Sequence, residues 1–282
     1  MKFDYLFSLR PSTVCNYRCS YCFRHDEIEL HDKKNEFDID SMVWHSGQRP
    51  NNLFNFCGYG ETMMHPQFSD MIIALTSVTH INWVTNGTMF ESRAFERILS
   101  EANHKNITDV VVSLHFGQIR DFSEYFSSLR SAMFELRDCG IRTHMTTMLT
   151  DDNVDSVLYY RLYFDNLVIR HPFPRYTQNK VTVYHSYSDA TMEKLKKANV
   201  VPVVEYDIIP APYNGLKCLN GHRIFEVMHD GSIFDCSLDE NRIKIGNINV
   251  KVAISALDGN RICKSSCSEC DPMLMDGYHL LS

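Results

Sequence analysis

Three cysteines near the amino terminus carry the clearest chemical signal in this chain. Cys15, Cys19 and Cys22 have the spacing CxxxCxxC, which gives three thiolates to one metal centre. Soft sulfur ligands favour iron–sulfur clusters, zinc or copper(I). Because a cubane cluster holds four irons, three protein ligands leave one iron open to a substrate or cofactor. The motif therefore predicts a metal centre that takes part in a reaction and does not only stabilise the fold.

A second cysteine group follows late in the sequence. Its members are Cys218, Cys236, Cys263, Cys267 and Cys270. An Asp230-Gly231 turn between two apolar segments predicts a β-hairpin beside this group. Cysteines clustered in this way indicate metal binding more often than disulfides. The two remaining cysteines, Cys57 and Cys139, are interpreted as structural, although Cys57 could also face a cavity.

Composition limits the class of protein. The chain has 282 residues, 44% of them hydrophobic and 22% charged, which is enough for one large or two modest soluble domains. A net charge of −7 argues against a broad nucleic-acid surface. We find no signal-peptide pattern and no apolar run of membrane-spanning length. We therefore expect a cytoplasmic protein without a membrane segment.

Strand and helix signals alternate from Tyr5 to Arg170. The predicted strands are 5–9, 53–57, 81–84, 109–114, 141–149 and 166–170. The intervening helices are predicted at 40–45, 66–78, 91–102, 122–139 and 153–164, with Asp40 as the cap of the first and Pro66 opening the second. Six such steps predict an α/β fold with a parallel sheet, in the form of a partial (β/α)6 TIM-type barrel.

The composition changes after Arg170, where an irregular stretch and then a helix at 190–198 precede shorter strands. A further strand is predicted at 201–209, and the hairpin strands at 223–228 and 232–235. We therefore predict two domains, a barrel over residues 1–200 and a small cysteine-rich domain over residues 201–282.

Three further segments stand at predicted strand ends. Gly58-Tyr59-Gly60-Glu61 follows the second strand, Thr85-Asn86-Gly87 ends the third, and Ser113 lies near the end of the fourth. The carboxyl ends of parallel strands meet at one edge, so these segments are expected beside the cysteine motif. In this order the motifs resemble the radical S-adenosylmethionine (SAM) enzymes over about residues 5–170, with Thr62 in place of the family's usual proline.

The resemblance implies a [4Fe-4S] cluster held by the first cysteine motif, with SAM chelating its open iron. It also implies reductive cleavage of SAM to a 5′-deoxyadenosyl radical, which abstracts hydrogen from a substrate. Roles in cofactor binding follow for Tyr21, Gly58, Gly60, Glu61, Asn86 and Ser113, of which Glu61 could accept from the ammonium group of SAM.

Two more residues are candidates because of their positions at strand ends. Arg170 ends the sixth strand, where it could meet a carboxylate of SAM or substrate; a surface arginine is the alternative. His115 shares a strand face with Ser113 and could face the barrel mouth. A solvent-facing or hydrogen-bonded core histidine is the alternative there.

The late cysteines resemble the SPASM and twitch domains of the same superfamily. This resemblance implies an auxiliary [4Fe-4S] cluster on Cys218, Cys236, Cys267 and Cys270, with Cys263 either surplus or replacing one of them. Five cysteines fit the shorter twitch domain better than a full SPASM domain. Four thiolates suit zinc equally well, so a structural zinc site is the alternative.

The architecture is similar to the family that contains 2-deoxy-scyllo-inosamine dehydrogenase. We therefore predict a net two-electron oxidation of a small molecule, aided by the auxiliary cluster and by a reducing partner such as flavodoxin or ferredoxin. Radical modification of a peptide or protein side chain is the first alternative. A non-catalytic zinc or iron–sulfur protein is the second. The identity of the substrate is not encoded in any motif.

Overall fold

Parallel strands joined by helices form the larger part of the molecule. The computed structural model describes residues 2–22, 36–49, 51–58, 60–164, 167–170, 175–176, 182–183, 187–200, 221–236 and 242–255. The first strands lie in sequence order, each paired in parallel with the next. They are β1 (Tyr5–Leu9), β2 (Asn52–Phe56), β3 (His80–Thr85), β4 (Ile107–Leu114), β5 (Thr143–Met148) and β6 (Leu167–Arg170). The predicted α/β class with a parallel sheet is confirmed.

Helices alternate with these strands. They are α1 (Ile39–Gly47), α2 (Phe68–Thr76), α3 (Arg93–Glu101), α4 (Phe122–Asp138) and α5 (Val154–Tyr160). Two short antiparallel strands, β7 (Arg175–Tyr176) and β8 (Thr182–Val183), precede α6 (Asp189–Lys197). No helix in the described part of the chain combines the length and apolarity that crossing a bilayer requires.

Two helix starts differ from the sequence-based expectation. The cap of α1 is Asp38, not Asp40, because the carboxylate of Asp38 accepts a hydrogen bond from the Ser41 amide at 3.1 Å. Pro66 does not open α2, which begins at Phe68. A short 3₁₀ turn at Thr62–Met64 comes first and delays the α-helical geometry.

The carboxyl-terminal hairpin extends the same sheet. Its strands are β9 (Ile224–Val227), β10 (Ser232–Phe234) and β11 (Lys244–Asn247), and the full order is β11-β10-β9-β1-β2-β3-β4-β5-β6. β9 pairs in parallel with β1 and antiparallel with β10, so the hairpin predicted around Asp230-Gly231 is confirmed. Gly231 has a φ of 79°, a conformation that favours glycine. The strand predicted at 201–209 lies outside the described residues, and the two-domain division stays a prediction.

Aromatic side chains fill the space under the first strands. Phe7 and Phe54 stack with ring centroids 4.5 Å apart, and Phe68 of α2 meets the face of Trp83 edge-on at 5.9 Å. Every residue of β2 is buried, as expected for a parallel strand covered on both faces. Such close packing gives the strand ends fixed positions, which a site built from their loops requires.

Candidate active site at the carboxyl ends of the strands

The cysteine motif lies in the loop that follows β1. Within this loop, the Ser12 hydroxyl accepts a hydrogen bond from the Val14 amide at 3.0 Å. The Val14 carbonyl in turn accepts one from the Glu61 amide at 2.8 Å, which ties the loop to the segment after β2. Farther along, the Cys22 amide donates to the Cys19 carbonyl at 3.0 Å and turns the motif back on itself. The loop is thus held by backbone contacts at both ends.

The three cysteines of the motif are present as thiols, not disulfides. Burial raises the pKa of the Cys15 thiol and raises that of Cys19 to about 12. Negative charge on each of the two other cysteines of the motif adds to the rise at Cys19, so the three side chains lie near one another. A bound cation would reverse this effect, because metal ligation deprotonates thiols.

The donor types of this loop can be compared with what an iron–sulfur cluster requires. Among the described residues, no three His, Cys, Asp or Glu side chains are grouped as ligands of one metal ion. A cluster makes a different demand, because each of its thiolates binds a separate iron atom. The donor set and its strand-end loop are therefore compatible with a three-cysteine [4Fe-4S] site.

Glycines allow the segment after β2 to approach the cysteine loop closely. Gly58 has a φ of 122°, and a Cβ there would come within 2.8 Å of the Arg10 side chain. At Gly60 a Cβ would overlap the Val14 carbonyl and lie 2.9 Å from the Ser12 carbonyl oxygen. Gly58 therefore requires glycine for its backbone conformation and for space, and Gly60 requires it for space alone. Tyr59, between them, lies outside the described residues.

Glu61 is the centre of the hydrogen-bond network. Its side chain is buried, and its carboxylate accepts from the Thr85 hydroxyl at 2.7 Å and from the Asn86 amide at 2.6 Å. The Met63 amide also donates to it, at 3.1 Å. Burial raises the pKa of Glu61, and these three hydrogen bonds oppose the rise. The carboxylate thus binds the ends of β2 and β3 together, and contact with an ammonium group stays a prediction.

Asn86 extends this network to the cysteine loop. Its side-chain amide donates to Asn16 at 2.7 Å, and its carbonyl oxygen accepts from the Thr88 hydroxyl at 2.6 Å. The Asn16 amide donates to the Thr88 hydroxyl at 2.8 Å, which closes the triangle. On the backbone, the Asn86 carbonyl accepts from the Tyr125 hydroxyl at 2.8 Å. Sequence reasoning missed Asn16, although its position inside the cysteine motif was a signal.

The end of β4 lies directly beside the cysteines. His115 Nδ1 is 2.7 Å from the Tyr21 hydroxyl and 3.4 Å from Cys19 Sγ. Desolvation lowers the pKa of His115 to about 4. The histidine therefore faces the cysteine loop and is hydrogen-bonded there, and a position at the barrel mouth stays a prediction. Ser113, two residues earlier, is half-buried and pairs in register with Thr146 of β5.

Arg170, Cys57 and Cys236 are the other candidates that lie within the described residues. Arg170 ends β6 and is half-buried, and its carbonyl accepts from the Leu149 amide at 2.8 Å. Cys57 is buried, with its sulfur 3.6 Å from the Ser8 hydroxyl. Cys236 is half-buried and follows β10. The four remaining late cysteines lie outside the described residues: Cys218, Cys263, Cys267 and Cys270.

The family model of the radical SAM superfamily matches residues 9–160, which include the cysteine loop, the Glu61 segment and β4. The chain belongs to the radical SAM superfamily. Its members are enzymes that use a [4Fe-4S] cluster and SAM. No curated protein matches the sequence.

Solved structures share the fold of this superfamily member. Streptococcus suis SuiB bound to S-adenosylmethionine aligns with a TM-score of 0.55 at 14% identity, over 87% of this chain and 63% of SuiB. Native anSMEcpe with bound AdoMet aligns with a TM-score of 0.55 at 19% identity, over 86% of this chain and 78% of anSMEcpe. The chain thus spans less than two thirds of the length of SuiB. At these identities the likeness describes the fold.

Proposed function

We propose that this radical SAM superfamily protein binds a [4Fe-4S] cluster through Cys15, Cys19 and Cys22 and cleaves SAM to start a reaction on a substrate. When bound, the cluster and SAM together supply a 5′-deoxyadenosyl radical that abstracts a hydrogen atom. The observation that carries the proposal is the Glu61 network. The buried Glu61 carboxylate joins the ends of β2 and β3, and the backbone amide of Glu61 donates to the Val14 carbonyl of the cysteine loop.

The proposed SAM contacts come from the same strand ends. Gly58 and Gly60 let the backbone after β2 pack directly against Arg10 and the cysteine loop, which holds the segment proposed for the methionine part of SAM beside that loop. Asn86 and Ser113 offer polar groups on the two following strands, and Tyr21 supplies an aromatic ring beside the last cysteine. Arg170, at the end of β6, is proposed for a carboxylate of SAM or of substrate.

We propose an auxiliary [4Fe-4S] cluster in the cysteine-rich segment over residues 201–282, in a twitch-like domain. Cys236 supports it, because β10 runs antiparallel to β9, so Cys236 follows β10 at the end of the hairpin where β9 begins, and Cys218 precedes β9 in the sequence. Cys218, Cys267 and Cys270 are the proposed partners, with Cys263 as a substitute ligand. Oxygen-sensitive thiolate clusters suit the reducing cytoplasm, where we place the enzyme.

For the substrate, we propose a net two-electron oxidation of a small molecule. The second electron would leave through the auxiliary cluster, and a flavodoxin- or ferredoxin-like partner would supply the reducing electron. Peptide modification is the second candidate. Two structures of the same fold contain peptides, SuiB with its precursor peptide SuiA and anSMEcpe with the Cp18Cys peptide. Both candidates use the same site, so they differ in the substrate and not in the radical step.

Anaerobic reconstitution with iron and sulfide tests the proposal. We expect about eight irons per chain if both clusters form, or about four if the first forms alone. Adding SAM and dithionite should yield 5′-deoxyadenosine. Tightly bound zinc with no cleavage of SAM would support the non-catalytic zinc protein instead.

Cysteine variants separate the two centres. Cys19→Ala should abolish 5′-deoxyadenosine formation and remove one cluster. Cys139→Ala is the matched control, because Cys139 caps the end of α4 outside the site. Cys267→Ala/Cys270→Ala should remove about four irons while SAM cleavage survives. Retention of all iron in this last variant would contradict the auxiliary site but leave the first centre intact.

A further inference from the structure

Three side chains from two separate segments meet beside the cysteine motif. Tyr21 and Cys19 come from the loop after β1, and His115 follows β4. The Tyr21 hydroxyl is 2.7 Å from His115 Nδ1, and Cys19 Sγ is 3.4 Å from the same nitrogen. The hydroxyl and the sulfur therefore lie on the same ring nitrogen, and each of the two side chains affects the pKa of the other. A sulfur proposed as a cluster ligand is thus in contact with two polar side chains that no cluster bond requires.

Ring packing fixes the orientation of this triad. The rings of Tyr21 and His115 stack with centroids 5.9 Å apart and an interplanar angle of 16°. Tyr17 meets the same imidazole edge-on, with centroids 5.7 Å apart. Because the imidazole is held between two aromatic rings, its Nδ1 stays directed at the Tyr21 hydroxyl and the sulfur. The packing of the two tyrosine rings therefore fixes the contact between the imidazole and the cysteine loop.

The number of protons decides the direction of the hydrogen bonds. A metal-bound Cys19 is a thiolate, which accepts hydrogen bonds and donates none. A tyrosine hydroxyl carries its proton at neutral pH, because the ordinary pKa of the group is about 10, so Tyr21 can donate. His115 Nδ1–H can donate to the hydroxyl oxygen or to the sulfur. One arrangement satisfies every group, with His115 donating to Tyr21 and Tyr21 donating to Cys19.

We propose that His115 and Tyr21 form a hydrogen-bond chain ending on the Cys19 sulfur, and that this chain raises the reduction potential of the cluster. The inference rests on the proposed function, because it assigns the tuning of that same centre. Adding an electron makes the thiolate sulfur a stronger acceptor, so donated hydrogen bonds stabilise the reduced state more than the oxidised state. His115 is here a positioning residue that acts through Tyr21 and the sulfur.

A redox titration of the reconstituted enzyme, followed by electron paramagnetic resonance, tests this chain. The change in signal on adding SAM identifies the cluster at the first motif. Tyr21→Phe keeps the ring on His115 and removes the hydroxyl. We expect its reduction equilibrium to become about tenfold less favourable, a shift of about 59 mV to more negative potential for a one-electron couple. Iron content should equal that of the wild type.

Tyr17→Phe is the matched control in the same loop. Tyr17 packs on the same imidazole, so its variant tests whether loss of any neighbouring hydroxyl shifts the potential. We expect the potential of Tyr17→Phe to equal the wild-type value. A shift as large as that of Tyr21→Phe would overturn the assignment of the effect to the triad.

Two variants of the histidine provide an independent test. The side-chain amide of His115→Asn places a donor at the δ position, where Nδ1 stands in histidine, whereas His115→Leu has none. We expect His115→Asn to retain most of the wild-type potential and His115→Leu to shift to more negative values. Equal potentials in both variants and the wild type would overturn the inference.

The outcomes also separate this inference from the proposed function. A wild-type protein that gives no cubane signal after reconstitution would overturn the proposed function and the inference with it. A normal wild-type signal and SAM cleavage, with potentials identical in Tyr21→Phe and His115→Leu, would overturn the inference and leave the proposed function standing.

Discussion

Arg10 and Glu226 form a buried ion pair that joins the first strand to the carboxyl-terminal hairpin. The guanidinium nitrogen Nη2 lies 3.0 Å from Glu226 Oε2, and both side chains are 1% exposed. Arg10 directly follows β1, and its side chain packs against Gly58. Glu226 lies on β9. The pair therefore links the hairpin to the base of the cysteine loop, and the loop's position depends on residues more than two hundred positions away.

Removing one partner of this pair should be costly. Glu226→Leu removes the carboxylate that pairs with the buried Arg10 charge, so we expect a loss of about 3–5 kcal/mol in the free energy of unfolding. Urea denaturation of the apo protein measures it. The double variant Arg10→Met/Glu226→Leu removes both charges and should recover most of the stability. If the single and double variants lost the same free energy of unfolding, the ion pair itself would contribute little to stability.

The strand-end motifs could be predicted, but their connections could not. The alternation of apolar segments gave β1 to β6 nearly at their observed bounds, because each strand has its own local pattern. The Glu61 network depends on the register between β2 and β3, which no local pattern encodes. The pairing of β9 with β1, and with it the Arg10–Glu226 contact, depends on a long-range contact and was not predicted.

The same limit explains the outcome at His115. Strand periodicity placed it on one face with Ser113, but it could not decide between a solvent-facing histidine and one that faces the site. Its contact with Cys19 depends on how the cysteine loop folds over β4. The positions at the start of α1 and α2 were wrong for a smaller reason. Asp38 and Asp40 are both acceptable caps for α1, and the 3₁₀ turn at Thr62–Met64 that precedes α2 has no clear sequence signal.

Glu61→Gln should weaken SAM binding. The carboxylate accepts three hydrogen bonds, and a glutamine would place an N–H₂ group against the Asn86 amide or the Thr85 hydroxyl. One donor would then be buried without an acceptor, at a cost of about 1–3 kcal/mol. We expect the Kd for SAM on the reconstituted enzyme to rise by about tenfold to a hundredfold, measured by isothermal titration calorimetry.

Thr85→Val is the graded comparison for this variant. It removes a single hydrogen bond to the carboxylate and leaves the acceptor oxygens in place. Its effect on the Kd should therefore be smaller than that of Glu61→Gln. An unchanged Kd in Glu61→Gln, with normal cluster content, would mean that the network does not position the SAM site.

Gly60→Ala should prevent normal assembly of the cysteine loop. A Cβ at this position would overlap the Val14 carbonyl, and backbone atoms cannot move aside as a flexible side chain can. We expect reduced iron incorporation at the first motif, measured by iron analysis and by the optical absorbance of the cluster. Gly47→Ala is the control, because nothing lies within 4 Å of a Cβ there. It should load iron normally, and equal iron loading in the two variants would contradict the steric argument.

His45 should make the free energy of unfolding depend on pH. Its side chain is fully buried on α1, Nε2 donates to the Val250 carbonyl at 2.9 Å, and burial lowers its pKa. Because the unfolded chain has a histidine pKa of about 6.5, the unfolded state binds the proton more readily as the pH falls below that value. The stabilisation is therefore complete above about pH 6.5 and declines as the pH falls toward the lower pKa of the folded state.

The variant His45→Gln keeps a donor for the Val250 carbonyl but has no titrating group. When the pH is lowered from about 7.5 to about 5.5, its free energy of unfolding should fall by about 1 kcal/mol less than that of the wild type, measured by urea denaturation. The same pH dependence in both proteins would show that acid destabilises the fold at other groups.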